Sequence, residues 1–255
     1  MTKLSLQEVK DLLEEKVATY NHPRFIEDDP ISIPHRYTKL QDIEIAGFWT
    51  AMLSWGQRKT IINKASELMD LMDNAPYQFV TQHEDIDLKN FASWKHRTFQ
   101  YDDTLYFMSF FKDWYAKQDS LQDAFVIGDS DVKSRLENFH HRFFGLPHLL
   151  QRTRKHVSTL ARKSSCKRLN MYLRWMVRND SNGVDFGLWD QISPASLMIP
   201  LDIHVFNVSR HLGLLQRDKA DWVAVEELTS SLRRFDSDDP VKYDFALFSM
   251  GVLEK

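Results

Sequence analysis

The stretch from Gln151 to Arg178, QRTRKHVSTLARKSSCKRLNMYLRWMVR, constrains the fold more than any other part of the chain. It holds nine lysines and arginines and no acid. From Leu169 its apolar residues Leu169, Tyr172, Leu173 and Met176 fall at i, i+3, i+4 and i+7, the spacing of a buried helical stripe. Lys167, Asn170, Arg174 and Arg178 are left on another side, and the pattern predicts that this side faces a polyanion such as a phosphate backbone. A charge run is more often just a solvated face. Against that, the strip has no interspersed acids, while the other 227 residues carry 24 basic and 36 acidic side chains. A mildly acidic chain thus has one strongly cationic strip.

Glycine and proline number only eight each in 255 residues, below the usual roughly 7% and 5%, which predicts few turns and an all-α fold. The single cysteine, Cys166, excludes an internal disulfide framework, a thiolate zinc site and a four-cysteine iron-sulfur cluster within one chain. The first 17 residues read as a charged amphipathic helix without an apolar signal core, and no later run approaches 18 apolar residues. A soluble cytoplasmic chain with no membrane partner is expected.

Ser5 and Glu8 have the spacing of a capping box opening the first helix, which should end near Asn21. Residues 24 to 42 read as an irregular connection. IEIAGFWTAMLSWGQRKTIINKASELMDLM then reads as helix, tight turn at Gly56, helix. Between Trp94 and Tyr115 aromatics alternate with charges, as base-stacking platforms do. The helical spacing of Leu105, Met108 and Phe111 is what a core needs, however, and no site is assigned there. Residues 120 to 150 should form one or two short helices, ending at the Gly145 and Pro147 turn. Asn179 to Gly183 is a loop. In PASLMIPLDIHVFNVSRHLGLL, Pro200 blocks helix, Asp202 is a preferred N-cap, and the helix from Ile203 should stop with Gly213 at C′. A helix over 222–235 and a closing helix with Phe245 and Phe248 complete the chain. The adjacent His140 and His141 point to different sides of a helix and make a poor metal pair, and nucleotide, serine-hydrolase and zinc-protease motifs are absent.

CKRLNMYLRWMVR followed by MIPLDIHVFNVSRHLGLL resembles the core of the helix-hairpin-helix DNA glycosylase superfamily, which includes endonuclease III-like enzymes. The closest flavour is the archaeal type of 8-oxoguanine glycosylase, in a bacterial branch. The resemblance implies an all-α, two-lobed fold with a cleft between the lobes, residues 46–184 forming most of one and 1–45 with 185–255 the other. The hairpin would lie near 150–178. Lys167 matches the lysine that opens the second helix of that hairpin, and Asp202 matches the aspartate that caps a later helix. LSWGQRKTIINKA is similar to the family's early helix, turn, glutamine and helix, which would bring Gln57 and Arg58 towards DNA. YDFALFSMG resembles the helix beside the base pocket, assigning Phe245 and Phe248 to it. The family's hairpin carries glycines just before the lysine, where this chain has Arg162, Lys163, Ser164, Ser165 and Cys166. Those basic and hydroxyl side chains, with Arg168, would hold the phosphate instead.

The activity implied is base-excision repair: Lys167 attacks C1′ of a flipped, damaged nucleotide, an oxidised purine being the first expectation, and Asp202 stabilises the developing cation. AP lyase activity would follow through the Schiff base. No metal or organic cofactor is needed; a monovalent cation at the hairpin is the one ion the resemblance allows. DNA is the expected partner and a monomer the expected state. Two rival readings use the same residues: a non-catalytic nucleic-acid-binding protein on this fold, and a helical interaction protein whose basic strip meets an acidic partner.

Overall fold

Ser5 opens the first helix as its spacing predicts: its Oγ accepts from the Glu8 backbone, and Glu8 Oε2 accepts from the Ser5 backbone at 2.7 Å. The computed structural model describes residues 4–126, 131–148 and 150–253. Among these the chain is all-helical with no strand, only an isolated bridge between His96 and Phe99. No described helix is long and apolar enough to cross a membrane. The order is α1 (Leu6–Tyr20), α2 (Arg24–Glu27), α3 (Leu40–Leu53), α4 (Arg58–Asp70), α5 (Pro76–Gln82), α6 (Tyr101–Tyr115), α7 (Gln122–Val126), α8 (Val132–Phe143), α9 (Lys167–Val177), α10 (Ile203–His211), α11 (Trp222–Arg233) and α12 (Tyr243–Val252), joined by short 3-10 turns.

Two compact units result, one from Met1–Phe25 with Thr159–Lys255 and the other from Ile26–Ser158. These boundaries differ from the expected 46–184 division. Residues 26–45 belong with the middle of the chain, because the 3-10 turns Pro30–Ser32 and Pro34–Arg36 pack against α3. Residues 159–184 belong with the ends, because the polar face of α9 pairs with acids there. The expected irregular connection over 24–42 in fact holds α2, both 3-10 turns and the start of α3, which its prolines and acids disguised as loop.

In the middle unit α3 is the central element, buried at every residue from Ile43 to Leu53. Phe48 lies 5.6 Å from Phe111 and 5.5 Å from both Phe139 and Phe143, and Trp49 lies 4.8 Å from Phe107. Each such side chain, fully withdrawn from water, contributes about 1.5–3 kcal/mol. Phe107, Phe111 and Tyr115 of α6 are therefore core, as their spacing indicates. The buried Glu44 is held by Tyr115 Oη at 2.9 Å, Ser120 Oγ at 2.5 Å and the Leu121 N–H at 3.0 Å. Asp103, fully buried, anchors the 3-10 turn Gln151–His156 through Thr153 Oγ1 at 2.7 Å, Arg152 at 3.2 Å and His156 at 3.2 Å. Burial alone would raise the Asp103 carboxyl, but hydrogen bonds from His156 and Thr153 hold it below its usual value.

In the other unit α12 packs on both α1 and α10. A Cβ at Gly251 would come within 2.9 Å of His204 Cβ, so glycine sets the closeness of α12 and α10. The α10 helix ends as expected: Gly213, at φ 74°, sits at C′, its N–H bonds Arg210 O, and the Leu214 N–H bonds Ser209 O, a Schellman pair. The last carbonyls of α9 accept from the following loop, Trp175 O from Phe186 and Met176 O from Leu188 and Trp189.

Candidate functional site

The approach to α9 is a single 3-10 turn, Leu160–Arg162, capped by Thr159 Oγ1. The expected first α-helix of a hairpin is replaced by this turn and by the earlier 3-10 turn Gln151–His156, since the stretch alternates polar and apolar residues without a sustained helical period. Lys163 has φ 58° and Cys166 φ 51°, so both are left-handed. Both lie in the stretch just before Lys167 where the resembled hairpin carries glycines, and a left-handed non-glycine residue costs about 1–3 kcal/mol. Lys167 is the first residue of α9, and no side chain caps this helix.

Arg162 and Lys163 are exposed, and Lys167 and Arg168 are half-buried. Burial pulls the Arg168 guanidinium down to about 10, which leaves it charged at neutral pH. Lys167 Nζ rests 3.2 Å from Met171 Sδ. The serines are used internally. Ser164 Oγ accepts from the Cys166 N–H at 3.1 Å, and Ser165 Oγ donates to Leu201 O at 3.1 Å. A hydroxyl has one proton, so Ser165 ties the loop to the segment before Asp202 and is not a phosphate donor in this arrangement.

The largest correction concerns the polar side of α9. Asn170, Arg174 and Arg178 are 1%, 4% and 2% exposed and do not face a polyanion. Arg174 pairs with Asp244 through Nη1 and with Asp185 through Nε at 3.2 Å. Arg178 meets Asp180 at 2.6 Å, Asp239 at 2.9 Å and Asp185 at 3.1 Å. Two arginines thus face four aspartates. Burial pushes the Asp244 carboxyl up to about 6, with Asp202 and Asp185 adding to the rise and Arg174 and Lys167 opposing it. Burial likewise raises Asp239 against the pull of Arg178. Burial would also raise Asp180, but a 2.6 Å bond from Asn21 Nδ2 and the charge of Arg178 bring it below its usual value. The excess of acids over arginines is eased at Asp244 and Asp239, the two carboxyls whose charged forms burial disfavours.

Asp202 caps α10 as predicted, Oδ1 accepting from the His204 N–H at 2.8 Å and the Val205 N–H at 3.0 Å. It is half-buried, and its Oδ2 lies outside the cap. The Ser165 Oγ bond to Leu201 O ties the start of α9 to the start of α10, and Lys167 and Asp202 are both among the charges that act on the Asp244 carboxyl of α12. Asp244 was missed in the sequence, although it lies within the YDFALFSMG segment; the signal was a cationic helix face with no acid of its own. Phe245 is fully buried, 5.3 Å edge-on to Phe25 and under the guanidinium groups of Arg174 at 4.5 Å and Arg178 at 5.3 Å. It is core, and no face is left for a base. Phe248 is half-buried.

In the middle unit Gln57 is exposed and stands at the N-cap of α4 without capping it, directly after Gly56 at φ 110°. Arg58 is half-buried and, with Glu27, Asp28, Lys59, Ile62 and Asn63, lines a shallow hollow of about 510 Å³. Among the described residues no group of three or more His, Cys, Asp or Glu side chains is disposed to hold a metal. Chemically, the Lys167 region offers an amine, a carboxylate oxygen outside its cap, a buried carboxyl raised to about 6 and an uncapped helix N-terminus flanked by exposed cations. No curated protein and no solved structure matches the chain. Residues 29–253 match one protein family, and on that match the chain belongs to the family described as protein of unknown function (DUF2400).

Proposed function

We propose that this chain is a DNA base-excision repair glycosylase with AP lyase activity, on a two-lobed helix-hairpin-helix glycosylase-like fold. Lys167 is the nucleophile. Its amine attacks C1′ of a flipped nucleotide as the C1′–N bond breaks and the base leaves with a proton. Loss of the ring oxygen bond gives a Schiff base, and β-elimination from it cuts the strand. Asp202, through the oxygen its cap does not use, stabilises the developing positive charge on the sugar. Arg162 and Lys163 meet the phosphate backbone at the open N-terminus of α9.

The observation that carries this reading is the hydrogen bond from Ser165 Oγ to Leu201 O at 3.1 Å, which ties the residue two before Lys167 to the residue before Asp202. The left-handed Lys163 and Cys166 support it as well, since a left-handed backbone is what glycine most readily adopts and the resembled hairpin is glycine-rich just before its lysine. The test is borohydride trapping on duplexes bearing defined lesions, beginning with 8-oxoguanine. The wild type forms a reduced covalent adduct, and Lys167→Ala forms none while still binding DNA. Asp202→Asn keeps the cap, because Asn is also a good N-cap, and slows base release by orders of magnitude. An adduct with Lys167→Ala assigns the nucleophile elsewhere, and an absence of adducts across all lesions removes the glycosylase reading.

A further inference from the structure

The stretch Trp94–Tyr115, whose aromatics alternate with charges as base-stacking platforms do but whose helical spacing reads as core, meets the Gly56–Gln57 turn of the middle unit. Its second half is core, but residues 94–100 are a loop. Arg97 is exposed and lies over the Trp55 ring, guanidinium carbon to ring centroid 4.7 Å. We propose that Arg97, laid on Trp55 beside Gln57, is a stacking platform for an unpaired base of the bound nucleic acid. The proposal rests on the DNA-binding reading above and extends it to a second contact on different residues.

Three observations carry it. First, the guanidinium plane is held from below and behind. A Cβ at Gly56 would stand 2.5 Å from Arg97 Nη1, and Gly56 itself is at φ 110°, so glycine alone permits this approach. Second, Arg97 is left-handed at φ 55°, a conformation in which a long side chain is strained. The turn is nevertheless fixed on both sides. His96 and Phe99 exchange backbone hydrogen bonds at 3.0 and 2.9 Å, the buried His96 ring donates to Trp55 O at 3.3 Å and meets the Trp55 ring edge-on, and Arg152 bonds Thr98 O at 3.1 Å. Third, among the described residues no carboxylate pairs with Arg97 or with the exposed Lys95 two residues before it, so the positive charge is not neutralised.

A flat cation that lies over an indole and is exposed to solvent matches the flat, electron-rich face of a base. Guanidinium planes stack on splayed-out bases in nucleic-acid recognition, and the cation–π contact with Trp55 keeps the plane oriented. A phosphate would need only the charge. That difference makes Arg97→Lys the decisive variant, since lysine keeps the charge and loses the plane.

The experiment measures affinity by fluorescence anisotropy for a fully paired duplex and for the same duplex with one unpaired 2-aminopurine, using wild type, Arg97→Lys and Arg97→Ala. Position 97 is exposed, and circular dichroism checks that each variant folds. Wild type is expected to prefer the unpaired duplex by about tenfold, the scale of one stacked base, and to quench the 2-aminopurine emission. Both variants should lose the preference and the quenching, while Arg97→Lys keeps its affinity for the paired duplex. Restoration of the preference by lysine would show a phosphate contact and overturn the platform, as would a preference unchanged in Arg97→Ala. Wild type binding both duplexes equally overturns the platform alone; binding neither overturns the DNA reading as well.

Discussion

Asp244→Asn probes the buried charge cluster that the helix α9 arginines create. The Asp244 carboxyl is 6% exposed, and burial pushes it from the ordinary 3.8 up to about 6. A shift of about two units corresponds to about 3 kcal/mol favouring the protonated form in the fold, at 1.36 kcal/mol per unit. The sign follows from linkage. Well below pH 3.8 the group is protonated in both states and its stability contribution is fully present. As the pH rises the unfolded chain releases the proton first, and the contribution is lost until the folded group also ionises near pH 6. Asparagine keeps the shape and the acceptor for Arg174 but cannot ionise. In urea unfolding followed by circular dichroism, the stability of Asp244→Asn relative to wild type should therefore rise by about 2.5 kcal/mol between pH 4 and pH 7.5, the unfolded group being already partly ionised at pH 4. Groups unaffected by the substitution cancel in this difference, so the result does not depend on the fixed cost of asparagine at the site. Parallel curves over that range would mean that Asp244 is ionised throughout and that Arg174 outweighs burial.

Arg174→Ala removes the partner of two buried carboxylates and should cost about 3–5 kcal/mol, measured as a lower urea midpoint at pH 7.5. Lys163→Gly relieves a left-handed residue while freeing the unfolded chain, so unfolding free energy should stay within about 1 kcal/mol of wild type or rise; a larger loss would show that the lysine side chain holds the loop. Gly213→Ala puts a Cβ at a left-handed C′ and should lower stability by about 1 kcal/mol in the same assay.

Features that one turn of chain determines were legible in the sequence. Ser5 with Glu8, Asp202 before Ile203 and Gly213 after α10 each satisfy backbone groups of their own helix, so residue type and spacing suffice. The aromatic periodicity of α6 was equally local. The polar face of α9 was not, because its meaning depends on where four aspartates arrive. Asp180 and Asp185 come from the loop that follows, whereas Asp239 and Asp244 come 61 and 70 residues after their arginine partners. A stripe of Arg174 and Arg178 looks the same whether it faces phosphate or buried carboxylate. The chain's charge balance held the hint, since a strip without acids sits in a chain with acids in excess. Residues 24–42 failed for a different reason: Pro30 and Pro34 each open a 3-10 turn, and proline reads as a break when it stands at the first position of a short helix.

The strained residues connect the two proposed contacts. Among the described residues five non-glycine residues have positive φ, and two of them, Asp73 and Asn74, are of the short polar type that tolerates it. The other three are Arg97, Lys163 and Cys166, and they stand in the two loops proposed to meet nucleic acid. At about 1–3 kcal/mol each, against a typical total stability of 5–15 kcal/mol, such strain persists only where neighbours over-determine the backbone. They do so here. Lys163 closes the 3-10 turn through Leu160 O at 2.7 Å, Cys166 is locked by its buried side chain and the Asn170 N–H, and Arg97 is bracketed by the His96 and Phe99 hydrogen bonds. Glycine would relieve all three and would present no charge. With lysine and arginine, the same backbone turns that in a glycine-rich loop offer bare N–H groups also place a cation at the surface, which is the property a polyanion-binding loop uses.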